Sequence, residues 1–226
     1  MGILRATTWY VRCVTKDPET SRRSPRQERS RSTVEAIVEA AARVLSEVGL
    51  ESVSTTRIAR VAGVSIGSLY QYFPGKEAIA SAMIRRQADE DVTRLHAAVE
   101  ASRGLPLEDR IERILELALE PVLARPRLFV FILTYLPELD LLPVARELER
   151  RTAAVMRTLF EEHREELGDV DAVAASFGGI GAMRGALLAL AHHAPEVLDD
   201  GQRVRALLRG VIVGAVSGAE ESRAGG

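Results

Sequence analysis

Residues 54–73 read STTRIARVAGVSIGSLYQYF, and this stretch decides the fold because it holds two short helical segments separated by a glycine. The first segment ends at Gly63, where a left-handed turn suits glycine, and Ser65 can cap the second segment. Alanine at positions 59 and 62 allows the two helices to approach closely. The apolar residues that can form a small shared core are Ile58, Ala59, Ala62, Val64, Leu69 and Phe73. This arrangement predicts a helix-turn-helix.

The second helix of this motif carries small and hydrogen-bonding side chains on its start and outer face. Small residues let a helix enter the major groove of DNA, where hydroxyls and an amide reach base edges and phosphates. Lys76 follows at the start of the next helix, where a cation and a helix N-terminus both favour a phosphate. Tyr70, Tyr72 and Phe73 could also be core residues at this spacing, and we expect that of Phe73. The outer face comprises Ile66, Gly67, Ser68, Tyr70, Gln71 and Tyr72.

Residues 62–73, with the Lys-Glu-Ala of residues 76–78, resemble the DNA-binding motif of the TetR family of bacterial transcriptional regulators. The resemblance extends over residues 31–91. It implies a dimeric repressor with an N-terminal three-helix DNA-binding domain and a C-terminal domain for effector binding and dimerisation. It also implies phosphate contacts by Thr55 and Lys76, and relatives often have histidine at the position of Tyr72. The implied DNA-contacting residues are Thr55, Thr56, Ser65, Ile66, Gly67, Ser68, Tyr70, Gln71, Tyr72 and Lys76.

Charge is distributed unevenly along the chain. Residues 1–86 carry 14 basic and 8 acidic side chains, whereas residues 87–226 carry 16 basic and 24 acidic ones. This asymmetry suggests that the N-terminal third meets a polyanion. Five arginines lie between positions 22 and 31. They predict a flexible basic arm over residues 1–30, which is either a DNA-binding arm or a solvated leader without a partner.

The remaining sequence is helical in pattern. The 226 residues include only five Phe, four Tyr and one Trp, and the single cysteine, Cys13, excludes an intrachain disulfide. Helical spacing predicts a helix over 33–48 capped by Ser32 or Thr33, and a long helix over 76–102. The apolar and aromatic segment 128–136 is interpreted as a short buried helix, since no second strand could pair with it. The prediction is an all-α fold of about nine helices.

We expect four regions along the chain. They are a basic arm at 1–30, a helix-turn-helix domain at 31–91 with its motif at 54–73, an effector-binding and dimerisation domain at 92–220, and a disordered tail at 221–226. A helix capped by Asp169 or Asp171 is expected to run to residue 194, and the last helix to span 202–218. The C-terminal region carries no motif that specifies a ligand.

Large, soft side chains of the C-terminal region could line an apolar effector pocket, or they could simply fill the core. Arg184 interrupts an apolar run, where it could bind an anionic ligand or pair with an acidic side chain. The four histidines have no cysteine or carboxylate at metal-ligand spacing, so no metal or other cofactor is expected. The candidate pocket residues are Phe129, Tyr135, Met156, Phe160 and Phe177.

Glycines recur in the last two predicted helices. Each costs about 1 kcal/mol relative to alanine inside a helix, so a close helix–helix contact is expected in return. Two such helices from each subunit would form a four-helix dimer interface, as the family resemblance also implies. The predicted interface residues are Gly181, Gly185, Gly210, Gly214 and Gly218.

These observations favour a cytoplasmic, non-enzymatic DNA-binding regulator. No signal peptide is visible, and the apolar runs near 186–191 and 210–216 are shorter than the ~20 residues that span a membrane. The sequence lacks a Gly-rich phosphate loop, a nucleophile elbow and a Cys–His pair. The expected partners are an operator in double-stranded DNA, a second copy of the chain and a small-molecule effector. The alternatives are an all-helical enzyme and a protein-binding adaptor.

Overall fold

The computed structural model describes residues 25–167 and 171–221 of the chain. Over these residues it contains ten α-helices and one 3-10 helix, and no strand. The all-α prediction is therefore confirmed. Most of the predicted basic arm, Cys13, Asp169 and residues 222–226 of the predicted tail lie outside the described residues.

The helices are numbered in chain order. They are α1 (Pro25–Ser52), α2 (Thr55–Ala62), α3 (Ile66–Tyr72), α4 (Lys76–Ala101), α5 (Leu107–Ala124), α6 (Pro126–Tyr135), α7 (Leu142–Glu162), α8 (Arg164–Leu167), α9 (Ala172–His193) and α10 (Gly201–Glu221). The 3-10 helix, Pro195–Asp199, connects α9 to α10. Asp171 caps α9 by accepting hydrogen bonds from the backbone amides of Val173 and Ala174.

The described chain divides into two compact units. Unit 1 contains the residues up to Gln87 together with Thr134–Leu141, and unit 2 contains Ala88–Leu133 and the residues from Leu142 onward. The sequence places residues 134–141 in the C-terminal domain. In the structure, this segment contributes Leu139 and Leu141 to the buried apolar residues of unit 1.

Helix α1 begins earlier than the sequence predicts. The expected start at Ser32 or Thr33 is wrong, because both hydroxyls donate to the carbonyl of Arg29, at 3.3 and 2.8 Å, as side chains inside a helix do. Residues 25–30 of the predicted arm therefore belong to α1. At Gly49, where the sequence predicts the helix to stop, the backbone is not helical, with φ 74°, and a short helical stretch follows to Ser52.

Unit 1 is held together by apolar side chains from its first helices. Ile37 and Leu45 of α1, Ile58 of α2, Leu69 of α3 and Ile79 of α4 are all fully buried. Each such side chain contributes roughly 1.5–3 kcal/mol relative to an exposed position. Burial of Leu69 fixes which face of α3 remains accessible to solvent.

Unit 2 contains two apolar clusters, and α5 contributes to both. Ile114 belongs to a cluster with Leu95 and Leu159, whereas Leu119 belongs to another with Leu187 and Leu208. Helix α5 therefore takes part in the packing of both clusters. The partly buried Met156 packs against the first cluster, and Phe129 packs against the second.

A buried arginine joins three helices of unit 2. Arg110, at the start of α5, is only 2% exposed. Its guanidinium donates to Glu162 Oε2 at 2.8 Å and to the Val99 carbonyl at 3.3 Å. Arg110 Nη1, which makes the bond to Glu162, also lies 2.7 Å from Nε2 of His163. The other ring nitrogen of His163, Nδ1, lies 2.8 Å from Glu166 Oε1. Because arginine can only donate, Nε2 accepts and Nδ1 carries the proton.

This network makes the stability of unit 2 depend on pH. The hydrogen bond from Arg110 holds the pKa of Glu162 below its ordinary value of 4.5, against the opposing effect of desolvation. A lowered folded-state pKa stabilises the protein above the unfolded-state pKa, and this contribution is lost as the pH falls through the folded-state value. The loss is therefore expected below about pH 4.5.

We predict that Glu162→Gln lowers the free energy of unfolding at neutral pH by roughly 1–3 kcal/mol, because a charge-assisted hydrogen bond is lost. The variant should also flatten the pH dependence of stability between neutral pH and pH 3. Denaturant unfolding followed by circular dichroism at several pH values measures both effects. Glu161→Gln is the matched control, since the single partner of Glu161 among the described residues is Arg157, in an exposed ion pair. Equal pH profiles for the two variants would contradict the assignment.

Candidate nucleic-acid interface

Two hydrogen-bonded caps and a left-handed glycine determine the geometry between α2 and α3. Ser54 caps α2 by accepting from the amide of Arg57 at 3.2 Å. Gly63 ends α2 with φ 70°, and the amide of Val64 donates back to the Ala59 carbonyl at 3.0 Å. Ser65 then caps α3 by accepting from the amide of Ser68 at 3.0 Å. The structure thus has the turn that the sequence predicts.

Helix α3 has one accessible face and one buried face. Ile66, Gly67, Tyr70 and Gln71 are exposed, whereas Leu69 on the opposite side is buried. Ile66 and Tyr70 are one helical turn apart, as are Gly67 and Gln71, so the four residues form two adjacent rows on the exposed side of α3. Ile66 is 40% exposed and Tyr70 is 53% exposed, although both are large and partly apolar. We call these four residues the α3 outer face.

Two hydroxyl pairs organise the surroundings of this face. Tyr70 Oη and Thr55 Oγ1 share a hydrogen bond of 3.0 Å between α3 and α2. Ser65 Oγ and Ser68 Oγ share another of 2.8 Å at the start of α3. Each hydroxyl keeps further hydrogen-bonding capacity, so these pairs orient the side chains without saturating them. Tyr72 is half-buried, whereas Thr56 is exposed on α2.

Lys76 has a structural contact that the sequence does not reveal. Its Nζ donates to the carbonyls of Glu51 and Val53, at 3.0 and 3.4 Å, near the end of α1. An ammonium group has three donors, so one remains for a phosphate. A lysine in this position connects the end of α1 to the start of α4.

Arg60 is a candidate that the sequence analysis missed. It is exposed in the last turn of α2, one helical turn after the exposed Thr56. No hydrogen bond or ion pair of its side chain is seen with any residue within 25–167 or 171–221, whereas Arg57 pairs with Glu47 at 3.1 Å. The shared face of Thr56 and Arg60 is the signal that could have identified it.

The structure places the five candidate pocket residues in several different surroundings. Tyr135 belongs to unit 1, where its hydroxyl lies 3.4 Å from the position that a Cβ on Gly49 would occupy. Phe129 and Met156 border different apolar clusters of unit 2. Phe160 is buried, and Phe177 is 46% exposed. The sequence could not show this, because helical spacing does not specify which helices pack together.

Four of the five predicted interface glycines have open space around them in the described part of the chain. A Cβ built at Gly181, Gly185, Gly210 or Gly214 would have no such atom within 4 Å, and Gly218 lies in the last part of α10. Val173 and Phe177 are exposed apolar residues on α9, and Leu207 is one on α10. Gly181, Gly185, Gly210 and Gly214 are therefore not required by packing within the described chain.

The apolar part of helix α9 is longer than the run near 186–191 suggests. Residues 173–193 form a helix long and apolar enough to cross a membrane, and little of it is buried. A single helix of this kind also occurs in soluble proteins. Arg184 on this helix forms an ion pair with Glu149, which favours the acidic-partner interpretation over an anionic ligand. Across 25–167 and 171–221, no three His, Cys, Asp or Glu side chains cluster as metal ligands would.

Comparison with known proteins identifies the N-terminal region. The family model of bacterial regulatory proteins of the tetR family matches residues 37–83, which include α2 and α3, and confirms the predicted resemblance to that family over this region. The chain is 37% identical over 68 residues to the HTH-type transcriptional repressor DrrR1 of Streptomyces coeruleorubidus, covering 30% of this chain and 25% of that protein. It is 49% identical over 41 residues to the nucleoid occlusion factor SlmA of Haemophilus ducreyi, covering 18% of this chain and 20% of that protein.

The whole fold also has solved counterparts. The structure of the fatty acid degradation regulator FadR from Bacillus halodurans superimposes with a TM-score of 0.65 at 18% identity, covering 87% of this chain and 97% of that one. At this level of identity the likeness concerns the fold. It confirms the predicted arrangement of an N-terminal helix-turn-helix followed by a helical region.

The cap of α3 yields a direct test of the local geometry. We predict that Ser65→Ala lowers the free energy of unfolding by about 1 kcal/mol, because the amide of Ser68 loses its acceptor. Ser65→Asp should retain most of the stability, since a carboxylate also caps a helix N-terminus. Denaturant titration of both variants measures the difference. Equal stabilities for the alanine and aspartate variants would show that the cap contributes nothing.

Proposed function

We propose that this chain, which carries the DNA-binding fold of the TetR-family regulators, is a cytoplasmic repressor that binds an operator as a homodimer. In this proposal, a small-molecule effector releases the protein from DNA. The observation that carries the proposal is the α3 outer face, a solvent-exposed helical surface within the region that matches the family. Such a helix with small and hydrogen-bonding side chains suits the major groove.

Gly67 supports a close approach of α3 to another molecule. A Cβ at this position would meet only Ser65 Oγ, at 3.9 Å, so the fold itself has room for alanine. Glycine inside a helix nevertheless costs about 1 kcal/mol relative to alanine. A requirement outside the chain, such as contact between the helix backbone and DNA, accounts for this cost. Thr55, Thr56, Lys76 and Arg60 lie on the neighbouring helices, where they would contact phosphates.

The exposed glycines and apolar side chains of α9 and α10 support a homodimer. Exposed, apolar and smooth helix surfaces are expected to be covered, and a second copy can supply the same two helices by two-fold symmetry. The four-helix contact would bury Val173, Phe177 and Leu207, and Gly181 and Gly214 would allow close helix approach. Two linked DNA-binding domains then bind two half-sites, with recognition helices about 34–36 Å apart or somewhat more.

The effector part of the proposal rests on the family resemblance and on unit 2. Phe129 and Met156 are partly buried beside its two apolar clusters, so they are the members of the predicted set best placed to contact an apolar ligand. Ligand control requires different affinities for effector in the DNA-binding and released states. A gel shift with DNA flanking the gene, repeated with candidate effectors, tests binding and release together. It also separates a regulator from an enzyme or an adaptor.

We predict that Gly67→Ala raises the free energy of unfolding by up to about 1 kcal/mol while lowering DNA affinity. The added methyl group stabilises the helix but stands between its backbone and the groove. Denaturant titration and DNA titration at matched salt measure the two effects. Gly201→Ala is the matched control, because a methyl group there would be in ordinary contact with Leu123 at 3.7 Å. Unchanged DNA affinity in Gly67→Ala would remove this face from the interface.

We predict that Gly214→Leu produces monomers and weakens operator binding, because the two half-sites are no longer bound together. Analytical ultracentrifugation and a gel shift on the same preparation measure both. Ala97→Leu adds an apolar side chain at another exposed helical position and should leave the dimer intact. A Gly214→Leu dimer with normal operator affinity would place the interface on other helices.

A further inference from the structure

The α3 outer face has no positively or negatively charged side chain that could hydrogen-bond to a base. Helix α3 contains no acidic or basic residue in its first or last turn, and its sequence is IGSLYQY. The amide of Gln71 is exposed and makes no hydrogen bond to any described residue, so its donor and acceptor are both available. Ile66 offers an apolar surface on the same face.

The other hydrogen-bonding groups near this face do not select a base. The hydroxyls of Ser65 and Ser68 bond each other, and serine hydroxyls can pair with any base. Tyr70 Oη is held by Thr55. Among the nearby cations, Arg57 pairs with Glu47, and Lys76 donates to two carbonyls of the α1 end. Arg60 lies on α2, the helix that crosses the phosphate backbone in this motif.

These side chains match the major-groove pattern of A·T pairs. Guanine is read chiefly by arginine or lysine, whereas an amide side chain pairs with N6 and N7 of adenine, and an apolar side chain contacts the methyl group of thymine. Gln71 and Ile66 are five residues apart, or about 7.5 Å along the helix axis. This separation corresponds to roughly two base-pair steps of DNA.

We propose that α3 reads A·T pairs at two positions of each half-site, through the Gln71 amide to adenine and the Ile66 side chain to a thymine methyl group. This inference rests on the proposed function, because it assumes that the α3 outer face enters the major groove. It adds the chemical class of base pair that this face selects.

Selection from a pool of randomised DNA duplexes tests the Gln71 contact. The bound duplexes are sequenced for the full-length protein and for three variants, Gln71→Ala, Gln71→Arg and Gln202→Ala. Gln202→Ala is the control, because Gln202 is an exposed glutamine on α10. For the unaltered protein and for Gln202→Ala, we expect adenine at the same position of each of the two half-sites. Discrimination there should fall about 5- to 150-fold in Gln71→Ala, and Gln71→Arg should prefer guanine at that position.

Substitution of dU for dT in the selected duplex tests the Ile66 contact, because it removes only the 5-methyl group. We expect an affinity loss of about fourfold at one dT of each half-site. The loss should disappear in Ile66→Ala, which has no side chain to contact the methyl group.

The outcomes separate the two levels of the proposal. Specific binding with a G·C pair at the Gln71-dependent position, or with unchanged base preference in Gln71→Ala, overturns the A·T inference and leaves the proposed function standing. Equal losses from dU in Ile66→Ala and the unaltered protein overturn the Ile66 contact. A pool without any enriched sequence overturns the proposed function, and the inference with it.

Discussion

The direction of the backbone at Gly63 is the constraint on which the candidate interface depends. With φ at 70°, this residue ends α2 and lets the amide of Val64 return to the carbonyl of Ala59. Any L-residue with a Cβ would be strained there by roughly 1–2 kcal/mol, although space around the position is open. Because the turn fixes the start of α3, burial of Leu69 then exposes the four residues of the α3 outer face.

Glycine has two separate roles in this protein. Gly49 and Gly63 are required by backbone conformation, since both have positive φ. Gly67, Gly181, Gly185, Gly210 and Gly214 are helical, and the described chain leaves room for a side chain at each of them. Each glycine of this second group makes its helix less stable than alanine would, and no contact within the described residues compensates for that loss. The contacts proposed for them lie with DNA for Gly67 and with a second copy for the others.

Local features of the fold were predictable from the sequence, and contacts between distant residues were not. The turn at Gly63, the cap by Ser65 and the start of α4 at Lys76 follow from signals within a few residues. The start of α1 was misplaced because serine and threonine inside a helix look like caps. The link between Arg110 and Glu162, 52 residues apart, leaves no local pattern. The placement of Tyr135 in unit 1 and of Phe129 in unit 2 could not be inferred from helix periodicity either.

The segment Thr134–Leu141 has a consequence for how the protein is made. Unit 1 is discontinuous in sequence, because 46 residues separate Gln87 from this segment, which still belongs to the unit. Leu139 and Leu141 are buried, so their apolar surface is removed from water only when the complete unit forms. During synthesis, the first helices leave the ribosome well before this segment does. Final folding of unit 1 must therefore wait until translation has passed Leu141, when the nascent chain already includes all of α5 and α6.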